Sequence, residues 1–149
     1  MEGHMHSIIF IASLTVLLWS GSGMAQGTVA NLKTVSGQVS LTRGGETMPA
    51  VPGGDLHNSD IINTGANGSV GVSFLDGTRV SLGPATEMLL NNYRFEPLQK
   101  DYAFDIYMKK GSAAYSSGKL GKLAPDAVKF NTPQATVGVR GTKFLVKVD

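Results

Sequence analysis

The sequence predicts an all-β protein, a compact antiparallel or solenoid-like domain of about eight or nine short strands. Three observations carry that prediction. Apolar residues recur with period two between turn residues, as on half-buried strands. Glycine is frequent, with 19 residues against the usual level near ~7%, and it falls between the alternating runs. No segment keeps helical apolar spacing over three turns, and none has a convincing capping box.

The N-terminus reads as a targeting segment. Ile8 to Trp19 is mostly apolar, yet shorter than the ~20 residues a bilayer span needs. Ser20 to Ala25 follows, small and flexible, with Gly23 and Ala25 at the small-x-small positions of a cleavage site. The expected division is a signal peptide over 1–25 and a mature domain over 26–149, with no membrane span after cleavage. Met1 to Ser7 argues against a signal peptide, since it carries no Lys or Arg, only Glu2 and two histidines, and a start at Met5 would remove Glu2; the competing reading is an uncleaved anchor. His4 and His6 lie in this segment and are not read as ligands.

In the mature chain, Val35, Val39 and Leu41 suggest a first strand interrupted at Gly37. Gly44-Gly45-Glu46 is a turn, and Pro49 to Asp55 is a loop or an edge. Ile61-Ile62 is a short strand, and Asn67-Gly68 a strong turn signal. Val70 to Leu82 is the clearest hairpin. A two-residue Asp76-Gly77 turn would put its apolar sets on opposite faces. A three-residue loop over Leu75-Asp76-Gly77 pairs Phe74 with Thr78, Val72 with Val80 and Val70 with Leu82, all on one face. That loop is a type I turn with Gly77 left-handed in a G1 bulge. A solenoid corner at Asp76-Gly77 is the competing geometry.

Glu87 to Tyr93 is a strand or one helical turn, and Phe95 to Asp101 a loop. Tyr102, Phe104 and Ile106 alternate on a strand that breaks at Lys109-Lys110-Gly111 and resumes to Tyr115. Ser116 to Pro125 reads as a mobile loop. Pro133 then opens an extended segment in which Val137 and Val139 share a side. Phe144, Val146 and Val148 continue in the opposite phase. One face stays buried through that change only with a bulge or corner near Arg140-Gly141. Arg140 is therefore expected to be a structural lock, its guanidinium bonding bulge carbonyls or a carboxylate such as Asp60, Asp76 or Glu87.

Composition excludes several functions. A net charge of +2 is too small to imply a nucleic-acid partner. Without cysteine there is no disulfide, thiolate metal site or lipidated N-terminal cysteine. No catalytic constellation is visible: His57 sits in a polar loop, and no nucleophile elbow accompanies it. Asp55, His57 and Asp60 offer metal-ligand chemistry, but turn-forming Asp beside a solvated His explains them more simply. Gly111 to Lys119 has the wrong spacing for a phosphate loop, and Leu120 stands where Ser or Thr is needed. Lys109, Lys110, Lys119 and Lys122 are better read as solvated loop and edge lysines than as one basic patch. Asn67-Gly68-Ser69 matches a glycosylation acceptor, discounted because Asn-Gly already explains the turn. Tyr93, Phe95, Tyr102, Phe104 and Tyr107 are mostly core by alternation, with a glycan-stacking face as the minor reading. The expectation is no enzyme and no cofactor.

An ordered set of short motifs covers most of Val35 to Val146. It runs Gly54-Asp55, Asp60-Ile61-Ile62-Asn63-Thr64-Gly65, Gly68-Ser69-Val70, Leu75-Asp76-Gly77-Thr78 and Leu82-Gly83-Pro84-Ala85-Thr86. Gly111 follows, and the set closes with Thr132-Pro133-Gln134-Ala135-Thr136-Val137-Gly138-Val139-Arg140-Gly141-Thr142-Lys143-Phe144. In this set the chain resembles the FecR domain, the periplasmic sensing domain of iron-dicitrate signalling regulators. The resemblance implies an all-β, partly solenoid-like domain outside the inner membrane. In full-length regulators that domain receives a signal from an outer-membrane transporter and controls a sigma factor through a cytoplasmic segment. No such segment precedes the apolar run here, and nothing after Asp149 reads as a second subdomain. The expectation is therefore a stand-alone periplasmic or secreted module that binds an envelope protein or relays a signal, with a structural or glycan-binding role as the alternative. Asp76, Gly77, Thr132, Pro133, Gly138, Arg140, Gly141 and Thr142 are its expected structural signature, without an assigned ligand.

Overall fold

The structure, a computed structural model, describes residues 27–139 and 141–149. Its strands are β1 (Ala30–Ser36), β2 (Val39–Arg43), β3 (Glu46–Pro49), β4 (Asp55–Leu56), β5 (Ile61–Thr64), β6 (Ser69–Phe74), β7 (Arg79–Leu82), β8 (Glu87–Glu96), β9 (Asp101–Ser116), β10 (Val128–Asn131), β11 (Thr136–Gly138) and β12 (Lys143–Val148). One short helix, α1 (Lys119–Leu123), follows β9. Nine strands form one hydrogen-bonded path, β3-β2-β5-β8-β9-β7-β6-β1-β4, curled into a half-barrel. The all-β expectation holds, and the other three strands extend the sheet from β9: β10 and β12 pair with it, and β11 pairs with β10.

β9 organises this arrangement. Its first half pairs with β8 and runs parallel to β10, while Gly111–Ser116 pairs with β7 and β12. The break expected at Lys109-Lys110-Gly111 is instead a bend inside one continuous strand. Gly111 takes φ +101°, and a Cβ there would collide with the backbone and side chain of Thr86. The Thr86 hydroxyl accepts the Ser112 N–H at 3.0 Å and donates to the Gly83 carbonyl at 2.9 Å. A bent ladder leaves polar groups unpaired unless a side chain meets them, and Thr86 does so.

The hairpin of β6 and β7 has the register that alternation requires, with Val70 opposite Leu82 and Val72 opposite Val80. The Phe74 N–H donates to Thr78 O at 2.8 Å, the Gly77 N–H donates to Phe74 O at 3.0 Å, and Gly77 takes φ +89°. Those are the features of a type I turn with a G1 bulge.

Further expectations are corrected. Val35 to Leu41 is not one strand: Gly37, at φ +67°, turns the chain from β1, which pairs with β6, to β2, which pairs with β5. Of the two alternatives for Glu87 to Tyr93 the structure has the strand, and the correction is that β8 continues through Phe95 into the expected loop. Ser116 to Pro125 is not simply a loop, because α1 buries Leu120 completely. Pro133 lies in a tight turn and opens no strand; the Thr132 N–H donates to Ala135 O at 2.8 Å, and Thr136 begins β11. Val137 and Val139 also differ in burial, at 36% and 8% exposed: Val137 lies on β11, which is exposed throughout, and Val139 follows its end. The change of apolar phase does fall between β11 and β12, where Gly141 has φ +138°. Arg140 and the expected cleavage site at Ala25 lie outside the described residues.

The core is aromatic. Phe104 touches Phe74 at 5.0 Å and Tyr115 at 5.6 Å between ring centres, and Tyr115 stacks on Phe144 at 4.7 Å. Full burial of each such side chain stabilises by about 1.5–3 kcal/mol. The result knits residues on β6, β8, β9, β10 and β12 into one interior.

Candidate functional site

The signature residues occupy two places that meet. Asp76 and Gly77 form the β6–β7 turn. Asp76 is only 3% exposed and is a junction rather than a surface turn residue. One carboxylate oxygen accepts the Tyr93 hydroxyl at 2.6 Å and the Thr78 N–H at 3.3 Å. The other accepts the Thr78 hydroxyl at 2.6 Å and the Leu120 N–H at 2.9 Å. The Asp76 N–H in turn donates to the Tyr93 oxygen at 3.0 Å. This carboxylate thus ties the hairpin to β8 and holds the first turn of α1. Burial raises the Tyr93 phenol well above the ordinary tyrosine range, and its bond to the Asp76 carboxylate adds to the shift.

Thr132 and Pro133 lie in the β10–β11 turn, Gly138 ends β11, and Gly141 and Thr142 lead into β12. Thr142 O accepts the Ser117 N–H at 2.7 Å. The next residue, Gly118, donates its N–H to the Thr78 hydroxyl at 3.2 Å. Thr78 is bonded to Asp76, so the closing signature reaches the hairpin turn through the β9–α1 junction. Tyr93 and Ser117 lie outside the motifs, and Thr78 stands in one without its bonding role being announced. Thr78 and Tyr93 carry one signal in the sequence: each is in phase with inward apolar residues, where a buried polar group needs a partner.

Asp60 forms a second buried node, 1% exposed. Arg43 grips it in a fork, Nε to one oxygen at 2.9 Å and Nη2 to the other at 2.8 Å, and the His57 N–H adds a bond of 2.7 Å. The same Arg43 Nη2 donates to Asp55 O at 3.0 Å. Asp55, His57 and Asp60 are therefore neighbours held by an arginine. Among the described residues no three His, Cys, Asp or Glu side chains gather as metal ligands. Asp60 and Asp76, two of the three carboxylates considered for Arg140, are engaged by these other partners.

The four lysines do not share one patch. Lys109 lies 3.7 Å from Glu87, and Lys110 is beside the bend of β9. Lys119 and Lys122 are on α1, beyond the far end of that strand, roughly 20 Å away at the usual rise per residue. Tyr93 and Phe104 are core, while Phe95 packs on Tyr102 at 5.9 Å at the tip of β8 and β9. Tyr107 faces outward in a cross-strand row with Ile61, Leu89 and Asn131. On the outward side of β7, the second half of β9 and β12, Arg79, Ser81, Ala114, Ser116, Lys143 and Leu145 line an open recess of about 540 Å³.

A protein-family model described as FecR protein matches residues 60–149, more than half of the chain. No curated protein and no solved structure matches. The matched region contains both parts of the signature and all of β9, and it begins at Asp60, whose partner Arg43 lies before it.

Proposed function

The chain belongs to the FecR family, and from that premise we propose that it is an exported, non-enzymatic binding module that receives or relays a signal by protein–protein contact in the cell envelope. The family is one of envelope signalling domains, and its match over residues 60–149 is the observation that carries the reading. The chemistry of the interior agrees with it. The buried carboxylates of Asp60 and Asp76 are bound to scaffold groups, which leaves recognition to the exposed faces. Among the described residues no helix is long and apolar enough to cross a membrane. A periplasmic or secreted location follows from the targeting segment read in 1–25.

One observation favours a second reading. The outward row of Ile61, Leu89 and Tyr107 lies beside the amide–carboxylate cluster in which Asn131 and Asn91 donate to Asp105 at 2.6 and 3.4 Å. An aromatic and aliphatic strip beside planar polar groups suits a glycan. Crosslinking in intact cells followed by identification of captured envelope proteins separates the two. A reproducible protein partner lost on proteolysis of the envelope supports relay. Retention on purified cell-wall glycan with no protein captured overturns it in favour of the glycan role.

A further inference from the structure

β12 has an open side. It pairs with Gly111–Ser116 of β9 and, among the described residues, with no other strand. An unpaired edge presents a row of backbone donors and acceptors to any incoming strand. The other strands at the ends of the sheet are shorter: β4 has two residues, β11 has three, and β3 has four and ends on Pro49, which has no N–H to offer. β12 has six residues, and its Leu145 is 84% exposed.

The outward positions of β12 are Lys143, Leu145 and Lys147. Arg79 shares their face, since both Arg79 and Lys143 are register partners of Ser116. The outward residues of β6, β7, the second half of β9 and β12 thus include three cations and no carboxylate. Lys147 reaches only the exposed Asp149, at 3.8 Å, and Arg79 and Lys143 have no ion-pair partner among the described residues. The floor between them is small, with Ser81, Ala114 and Ser116 lining the recess. A second copy is a poor occupant. Antiparallel self-pairing centred on Leu145 sets Lys143 against Lys147, and like charges directly opposite are destabilising.

We propose that the β12 edge takes an extended segment of a partner protein by strand addition, with carboxylates opposite Lys143 and Lys147 and an apolar side chain opposite Leu145. The proposal rests on the protein-binding reading and names its surface. Main-chain bonds supply affinity in this mode, and alternate side chains supply specificity. The inward positions of the added strand would extend the apolar row of Phe144 and Val146, which are half-buried.

The test uses the full chain and three synthetic peptides: Thr-Glu-Val-Leu-Val-Glu-Thr, the same peptide with Lys for Glu, and the scrambled Thr-Glu-Glu-Leu-Val-Val-Thr. The alternating acidic peptide is expected to bind and to slow amide exchange at Lys143–Val148. The double variant Lys143→Glu, Lys147→Glu, at two exposed positions, is expected to bind it about tenfold or more weakly and to bind the Lys peptide instead. Unchanged circular dichroism checks the fold of that variant. Equal binding of the scrambled peptide, protection elsewhere in the chain, or a dimer that already protects β12 without peptide would each overturn the proposal. The two readings also fail separately. Capture of the same envelope proteins by wild type and the double variant overturns the edge and leaves the binding module standing. Peptide binding at β12 with no envelope protein captured supports the edge and overturns the relay role.

Discussion

The hydroxyl of Tyr93 and the carboxylate of Asp76 form a closed exchange inside the protein. Tyr93 donates to Asp76 at 2.6 Å and accepts from the Asp76 main-chain N–H at 3.0 Å. The pair lies 17 positions apart in sequence, and it joins the β6–β7 turn to β8.

Tyr93→Phe leaves the Asp76 N–H without its acceptor and removes one donor from a buried carboxylate. The expected loss is about 1–3 kcal/mol in urea denaturation near neutral pH. A pH signature accompanies it. The Tyr93 pKa is raised in the folded state, so its contribution is fully present below pH ~10, the ordinary value for an unfolded tyrosine. Above that pH the unfolded chain gives up the proton while the folded chain keeps it. Stability then falls by up to about 1.4 kcal/mol per pH unit for each such group. Tyr115 is raised in the same direction by burial and steepens the fall. Tyr93→Phe should make the decline between pH 10 and 11 shallower, and an unchanged slope would contradict the assignment.

Two glycines should respond differently to small substitutions. Gly77 has φ +89° and open space around it, so Gly77→Val should lose more than ~1 kcal/mol through the backbone alone. Gly111→Ala adds a collision with Thr86 at the bend of β9 and should cost more than Gly77→Ala. Equal midpoints in urea for the two alanine variants would remove Thr86 from the account of the bend.

Arg43→Ala strands the Asp60 carboxylate, which is 1% exposed, with the His57 N–H as its remaining donor. A loss of about 3–5 kcal/mol is expected, and Arg43→Lys should recover only part of it because an ammonium lacks the fork. Full recovery by lysine would show that charge alone, without geometry, holds the node.

Export is checked by intact mass. Protein from the envelope fraction should begin at Gln26. A mass that retains Met1 or Met5 would replace the cleaved signal with an anchor.

Local order was legible in the chain, and distant partnership was not. The β6–β7 register could be read because a single loop length puts Val70, Val72, Phe74, Val80 and Leu82 on one face. Asp76 was read as a turn residue because Asp-Gly explains itself locally, while its partners Tyr93 and Leu120 lie 17 and 44 positions away. Asp60 was ambiguous for the same reason, since nothing near it in sequence announces Arg43. In the sequence the bend of β9 looks like a gap because Lys109-Lys110-Gly111 interrupts apolar alternation, whereas in the structure Thr86 meets the backbone groups at the bend. α1 escaped notice because a helix of five residues has too few turns to show a period, and its support comes from Asp76.

The shared strand has a consequence for the order in which the protein acquires its shape. Synthesis delivers β1 to β8 first, and β5 meets β8 while β6 meets β7, giving two sheet fragments. Among those residues no strand pair joins the fragments; they share the corner at Gly37, side-chain ties such as Tyr93 to Asp76, and turn bonds such as Ala85 N–H to Gly65 O. β8 and β7 become neighbours of a common strand only when Asp101–Ser116 has emerged. Phe104 and Tyr115 arrive on that same strand and bring the centre of the interior with them. A nascent chain ending before Ser116 therefore has the halves of a protein without its seam, and chains truncated there should remain open to proteases while those extending through Val148 close.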